Sequence, residues 1–315
     1  MKSYFKLLGW QSLVLVLLLA IATRISLILP FYKIYFPMTI LPSSDYLLFT
    51  FGLIFLMAGL NLVCSFFDTK MSDILQNTSS LDNGKKIGMF YVFAIIGLGI
   101  LGYISFKYHV WQIVALGLVF AGLSYIYAYK YKRQVLIGNI SLSFLYALLV
   151  LMPFLLEFFT FTHYQTEILI KIPVWAWLTF GKIFVFLSIF VFLLTFIRDV
   201  TLDLANMDSN SKAGFSTFAT KYGEKKTNNL LVFSSILFIL INVCYLYFSF
   251  EYMDIIHVII LVIINICPLI YYLYALFRVK RTDDLVFLYR FLGMIYISLI
   301  FTVHFSQNIF NTDVF

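Results

Sequence analysis

Nine apolar runs, each near the roughly 20 residues a helix needs to cross a bilayer, leave this chain few folds to choose from. They cover residues 10 to 30, 47 to 67, 88 to 106, 111 to 129, 136 to 156, 174 to 197, 229 to 249, 255 to 277 and 288 to 308. Backbone polar groups in hydrocarbon must be satisfied within the segment, so runs of this length predict helices. With 62% hydrophobic and 12% charged residues, the chain is expected to be an all-α, multi-pass integral membrane protein, one domain over 1–315. The first run opens like a secretory leader, with Lys2, Lys6 and Ala20-Ile21-Ala22. Its apolar stretch carries on to Leu29, which predicts an uncleaved span.

Charge orients the helices. With a cytoplasmic N-terminus, that side receives Lys85, Lys86, Lys130, Lys132, Arg133, Arg198, Lys212, Lys221, Lys225, Lys226, Arg278 and Lys280, while Lys33, Lys107, Lys171 and Arg24 fall on the other. This bias predicts a multi-pass protein of the cell inner membrane with its C-terminus outside. It also explains the net charge of +7 without a nucleic-acid partner. Cys64, Cys244 and Cys267 lie within or at the end of spans, which argues against a disulfide framework or zinc site. Arg24 is expected to snorkel at the outer end of the first span, and Pro30, Pro37 and Pro42 to mark a non-helical outer connection. Glu157 falls on that outer side. Asn242 and Asn265 are expected to bond between helices and Pro268 to kink the eighth, while His109, His163, His257 and His304 lack companions at metal-ligand spacing.

Two polar concentrations interrupt the apolar pattern, both on the predicted cytoplasmic side. The second span ends in AGLNLVCSFFDTKMSD, where Asn61, Ser65, Asp68 and Ser72 share a helix face, Cys64 is beside them and Asp73 just off it. The sixth runs into FIRDVTLDLANMDSNSKAGFSTFATKYG. On a helix continuing past 203, Asp203, Asn206 and Asn210 project from one face, and Asp199 lies one turn earlier. Oxygen ligands stacked this way suit Mg²⁺, with Lys212 and Lys221 placed to meet phosphates. Wet helix ends with no chemistry remain the plain alternative, and Asn61 alone also reads as a helix-packing residue.

These residues resemble the UbiA superfamily of intramembrane prenyltransferases. That family's first motif, N-x-x-x-D-x-x-x-D, falls on Cys64, Asp68 and Ser72. Its second, D-x-x-D-x-x-x-D followed by K-x-G-x-x-T and a glycine, falls on Asp203, Asn206, Asn210, Lys212, Gly214, Thr217 and Gly223. Lys132 and Arg133 ahead of Gly138-Asn139 match its loop after the fourth helix. The resemblance implies nine helices in one bundle around a central cavity open to the cytoplasmic face.

It further implies a transferase that moves an isoprenyl group from a prenyl diphosphate to an aromatic or other lipophilic acceptor within the membrane lipid, with Mg²⁺ as cofactor. Asp68, Asp203 and Lys132 would be catalytic, and Arg133, Lys212, Arg198 and Asn61 would bind the diphosphate. Asp68, Asp203, Asn206, Asn210 and Ser72 would hold metal, with Asp73, Asp199 and Asp208 replacing charge lost where Asn or Ser stands for aspartate. A terpene cyclase and a non-catalytic prenyl-lipid-binding homologue are the alternatives. A transporter fits less well, because the polar groups gather at one membrane face instead of the midplane.

Overall fold

The computed structural model describes residues 10–35, 40–76, 83–168, 174–250, 253–279 and 282–306, without the side chains of 34–35, 69–76, 83, 165–168 and 174–175. Among the described residues, nine helices are long and apolar enough to span a membrane. They are α1 (Trp10–Lys33), α2 (Ser43–Gln76), α3 (Asn83–Tyr108), α4 (Trp111–Tyr129), α5 (Ile137–Ile168), α6 (Val174–Ala205), α7 (Phe218–Ser249), α8 (Ile255–Leu276) and α9 (Thr282–Ser306). Each matches one apolar run. This is an all-α, multi-pass membrane protein.

Burial separates inner helices from outer ones. The two helices carrying the polar motifs, α2 and α6, are 61% and 67% buried over their most apolar windows, against 28% for both α3 and α8. Helix α6 packs on α5, α7 and α9, and α2 on α1, α3 and α4. The outer faces show Ile95, Phe106, Leu118, Phe233 and Ile256, the surface a lipid-facing bundle requires. The motifs thus sit on the helices the fold buries most.

Several helices depart from regular geometry for identifiable reasons. Pro30 lies inside α1, not in a connection, and a π turn at Arg24–Ile28 precedes it. Proline has no N–H to donate to the preceding turn, and the wider π turn absorbs the mismatch. A second π turn, Val262–Ile266, comes just before Pro268 in α8. Helix α7 breaks at Gly223, where φ is 80° and ψ 173°, so its first turn, with Lys221, diverges from the span that follows. Asn265 bonds Thr302 of α9 at 2.9 Å, but Asn242 donates to Phe238 of its own helix at 2.8 Å, not across helices.

The end of the bundle away from the polar motifs holds a polar network that the sequence did not reveal. Arg24 turns inward instead of snorkelling: its Nη1 donates to Glu157 Oε1 at 2.6 Å and its Nη2 to the Leu41 carbonyl at 2.5 Å. Tyr32 donates to the other Glu157 oxygen at 2.8 Å, and Tyr46 stacks 4.9 Å from the guanidinium. Glu157 is fully buried. Nearby, Asp45 at the start of α2 pairs with Lys107 of α3 at 2.6 Å and accepts from Tyr108. His109 and His163, far apart in sequence, bring their rings to 5.2 Å.

Candidate active site

At the end of the bundle where α2 and α6 carry their carboxylates, a cavity of about 420 Å³ is lined by Asp68, Tyr127, Lys132, Asp199, Asp203, Asn206, Asn210 and Thr217, among others. The α4–α5 connection builds one wall. It forms a short 3₁₀ turn, Tyr131–Arg133, and reverses through Leu136 at φ 59°, a left-handed conformation that costs a leucine energy. Gly138 then passes so close that a Cβ there would lie 2.6 Å from the Tyr131 carbonyl oxygen. Only glycine lets the turn fold onto the start of α5.

That turn aims Lys132 across the cavity, where its Nζ donates to both oxygens of Asp68, at 2.9 and 2.6 Å. Burial works against the lysine charge, but Cys64, Asp68 and Asp199 around it prevail, and its pKa is held above the ordinary lysine value. Lys132 therefore stays cationic at neutral pH. On the facing wall, the Asn139 amide Nδ2 donates to Asp199 at 2.8 Å and to Asp203 at 2.9 Å. One amide gathers two carboxylates from successive turns of α6. It leaves each with oxygen lone pairs for another cation.

Helix α6 ends at Ala205, so Asn206 and Asn210 do not continue it. Asn206 breaks the helix at φ −101°, ψ 17°, and its carbonyl accepts the Asn210 N–H at 2.8 Å as the short helix Met207–Lys212 begins. Both asparagines line the cavity nonetheless. Gly214 at φ 72° turns the chain back, and Thr217 caps α7 by accepting from the Thr220 N–H at 3.3 Å.

Other candidates lie elsewhere. Asn61 donates to Ser12 of α1 at 3.0 Å. Arg133 donates to the Phe67 carbonyl at 3.0 Å and lies 5.1 Å from the Phe215 ring, tying the turn to the end of α2. Arg198 turns to α9, where it donates to the Tyr289 hydroxyl at 2.7 Å. Asp208 and Lys212 are exposed on the short helix and do not line the cavity. The side chains of Ser72 and Asp73 lie outside the described residues. Asn139 and Tyr127 are site residues that the sequence pattern does not single out: Asn139 acts only through the way α5 meets α6, and Tyr127 through the wall that α4 gives the cavity.

Below the polar cavity, an apolar slot is lined by α1, α2, α5, α6 and α9, with Leu19, Thr23, Tyr146, Pro153, Val191 and Tyr296 among its walls. Tyr146 lies two turns along α5 from Asn139, so slot and cavity are stacked along the same helices.

A digeranylgeranylglyceryl phosphate synthase of Methanobrevibacter smithii is 25% identical over 243 residues, which make up 73% of this chain and 75% of that protein. A solved structure of a digeranylgeranylglyceryl phosphate synthase in membranes aligns with a TM-score of 0.61 at 20% identity, over 98% of both chains. A UbiA homologue from Archaeoglobus fulgidus bound to DMAPP and Mg²⁺ aligns at 0.55 and 14% identity, over 96% of this chain and 98% of its own. At such identities these structures speak for the fold. The model of the UbiA prenyltransferase family matches residues 37–295, most of the nine-helix bundle, and the chain belongs to that family.

Proposed function

We propose that the protein transfers a prenyl group from a prenyl diphosphate to a lipophilic acceptor, and that the cavity at Asp68, Asp199 and Asp203 is where the diphosphate is bound and released. The observation that carries this reading is the cavity's charge pattern: three carboxylates and a cationic lysine face one another. The head of a prenyl diphosphate is complementary, with phosphate oxygens for the lysine and for a metal held by the carboxylates.

The donor set fits Mg²⁺ in a particular way. Among the described residues no three His, Cys, Asp or Glu side chains converge as a ready metal cage. Mg²⁺ commonly takes one or two protein carboxylates and completes its octahedron with water and phosphate oxygens. Asp199 and Asp203, held side by side by Asn139, would hold the ion, with Asn206 and Asn210 as neutral oxygen donors. Bound Mg²⁺ supplies positive charge that stabilises the departing diphosphate.

The chain's own residues do the rest. Lys132 exchanges Asp68 for a diphosphate oxygen and neutralises it. Asn139 keeps both α6 carboxylates oriented. As the allylic C–O bond breaks, its electron pair leaves with the diphosphate, and Tyr127 of the cavity and Tyr146 of the slot are the aromatic rings placed to meet the carbocation. An acceptor hydroxyl or ring carbon bonds that carbon and gives its proton to the wet cavity. Similarity to a digeranylgeranylglyceryl phosphate synthase favours a glycerol phosphate lipid as acceptor. The cavity faces the cytoplasm of the inner-membrane protein, with the N-terminus on the same side.

Binding gives a direct test. A ligand that binds only the folded state raises the melting temperature. Mg²⁺ with geranylgeranyl diphosphate is expected to raise Tm by several degrees, and either alone by much less. No joint effect with any prenyl chain length would overturn the reading.

A further inference from the structure

At the end of the bundle away from the carboxylates, the fold joins two histidines that no spacing in the sequence pairs. Helix α3 ends at Tyr108 and is closed by a bond from the Val110 N–H to the Ser105 carbonyl at 2.9 Å, with His109 at φ 56° inside the turn. This left-handed position just past a helix end is the one glycine usually fills, and it costs a side-chain-bearing residue energy. Here it carries the His109 ring to 5.2 Å from that of His163, near the end of α5, with 33° between the ring planes.

Both side chains are exposed, and among the described residues their rings meet each other and, for His163, the Tyr164 ring at 5.1 Å. Lys107, two residues before His109, is paired with Asp45 at 2.6 Å, so its charge is already answered. Imidazoles are the ligands that zinc and its late first-row neighbours favour. A ring nitrogen sits about 1.1 Å from its ring centroid and binds Zn²⁺ at about 2.0–2.1 Å, so two rings sharing a tetrahedral ion stand about 5.1–5.2 Å apart. Adjacent ligands of a square-planar ion would stand about 4.4–4.5 Å apart. The observed spacing is the tetrahedral one, and an exposed ring can turn a nitrogen inward about χ2.

We propose that His109 and His163 form a zinc-binding site that clamps the α3–α4 turn to the end of α5. Among the described residues no third His, Cys, Asp or Glu joins them, so water completes the tetrahedron. Two protein ligands in place of the usual four put the expected Kd at roughly 1–200 μM. The site is independent of the prenyl-transfer reading, because its ligands and its readout are separate from the carboxylate cavity.

The test titrates ZnCl₂ into full-length protein in nanodiscs of uncharged lipid, free of any polyhistidine tag, with excess Mg²⁺ to fill hard oxygen sites without competing for imidazole. Calorimetry is expected to show one zinc per chain. His109→Gly and His163→Gln should each weaken binding at least about tenfold, and the double variant should lose little more, because the two ligands act as one unit. His163 lies on a regular helix, so His163→Gln tests the site without touching the turn. Asp203→Ala, His257→Ala and His304→Ala should bind zinc as wild type does. His109→Gly, with glycine in its favoured conformation, should melt no lower than wild type without zinc yet lose the rise in Tm that zinc gives. No binding up to about 1 mM zinc, far above the expected Kd, would overturn the inference. So would binding that survives either histidine variant, or binding lost instead in Asp203→Ala.

Discussion

Replacing Asp203 with alanine is expected to lower the rate of diphosphate release roughly 100- to 1,000-fold, the usual loss when one preorganised charge-stabilising group is removed from a reaction centre. Asp203 lines the cavity and shares the Asn139 amide with Asp199. The family's second motif has aspartates where this chain has Asn206 and Asn210, so Asp203 carries a larger share of the charge. Asn206→Ala removes only a neutral oxygen and should cost less. Because Asp203 is only half-buried, Asp203→Ala should melt close to wild type, which separates lost chemistry from lost fold. A residual rate within a few-fold of wild type would move the centre away from α6.

The second large effect concerns stability at the opposite end of the bundle. Glu157→Leu removes the fully buried partner of Arg24, whose side chain is only 6% exposed. Leaving such a charge unpaired costs about 3–5 kcal/mol, equivalent to roughly 5–10 °C in Tm. The double variant Arg24→Met, Glu157→Leu is expected to regain much of this, because it removes both charges together. Recovery will be partial: the Leu41 carbonyl and Tyr32 hydroxyl lose their partners. Thermal unfolding in detergent measures all three proteins. A single variant as stable as wild type would mean that Arg24 finds water or another anion.

The architecture was legible because hydrocarbon imposes length and composition on every span, and each apolar run became one helix. What the runs understated was reach. Helix α2 extends to Gln76 and α6 to Ala205, and it is these polar extensions that carry the carboxylates. Site residues were legible where neighbours on one helix act together, as Asp199 and Asp203 do, and illegible where a partner comes from elsewhere. Asn61 shares a face with Asp68 but lies about 10 Å away along α2, which puts it against Ser12. Arg198 adjoins Asp199 in sequence but points about 100° away around the helix, which sends it to α9. Asn139 meets the α6 carboxylates, and Glu157 meets Arg24, only through the packing of α5. No spacing within one segment encodes such meetings.

The central claim is that this cavity ionises a prenyl diphosphate although aspartates of both family motifs are replaced. Diphosphate release by the purified protein, given geranyl, farnesyl or geranylgeranyl diphosphate with Mg²⁺ or with a chelator, tests it most directly. The account predicts release that needs the metal and is lost in Asp203→Ala. Absence of release at every chain length, with wild type and Asp203→Ala indistinguishable, would contradict it and leave a bundle that retains the family's fold without its chemistry.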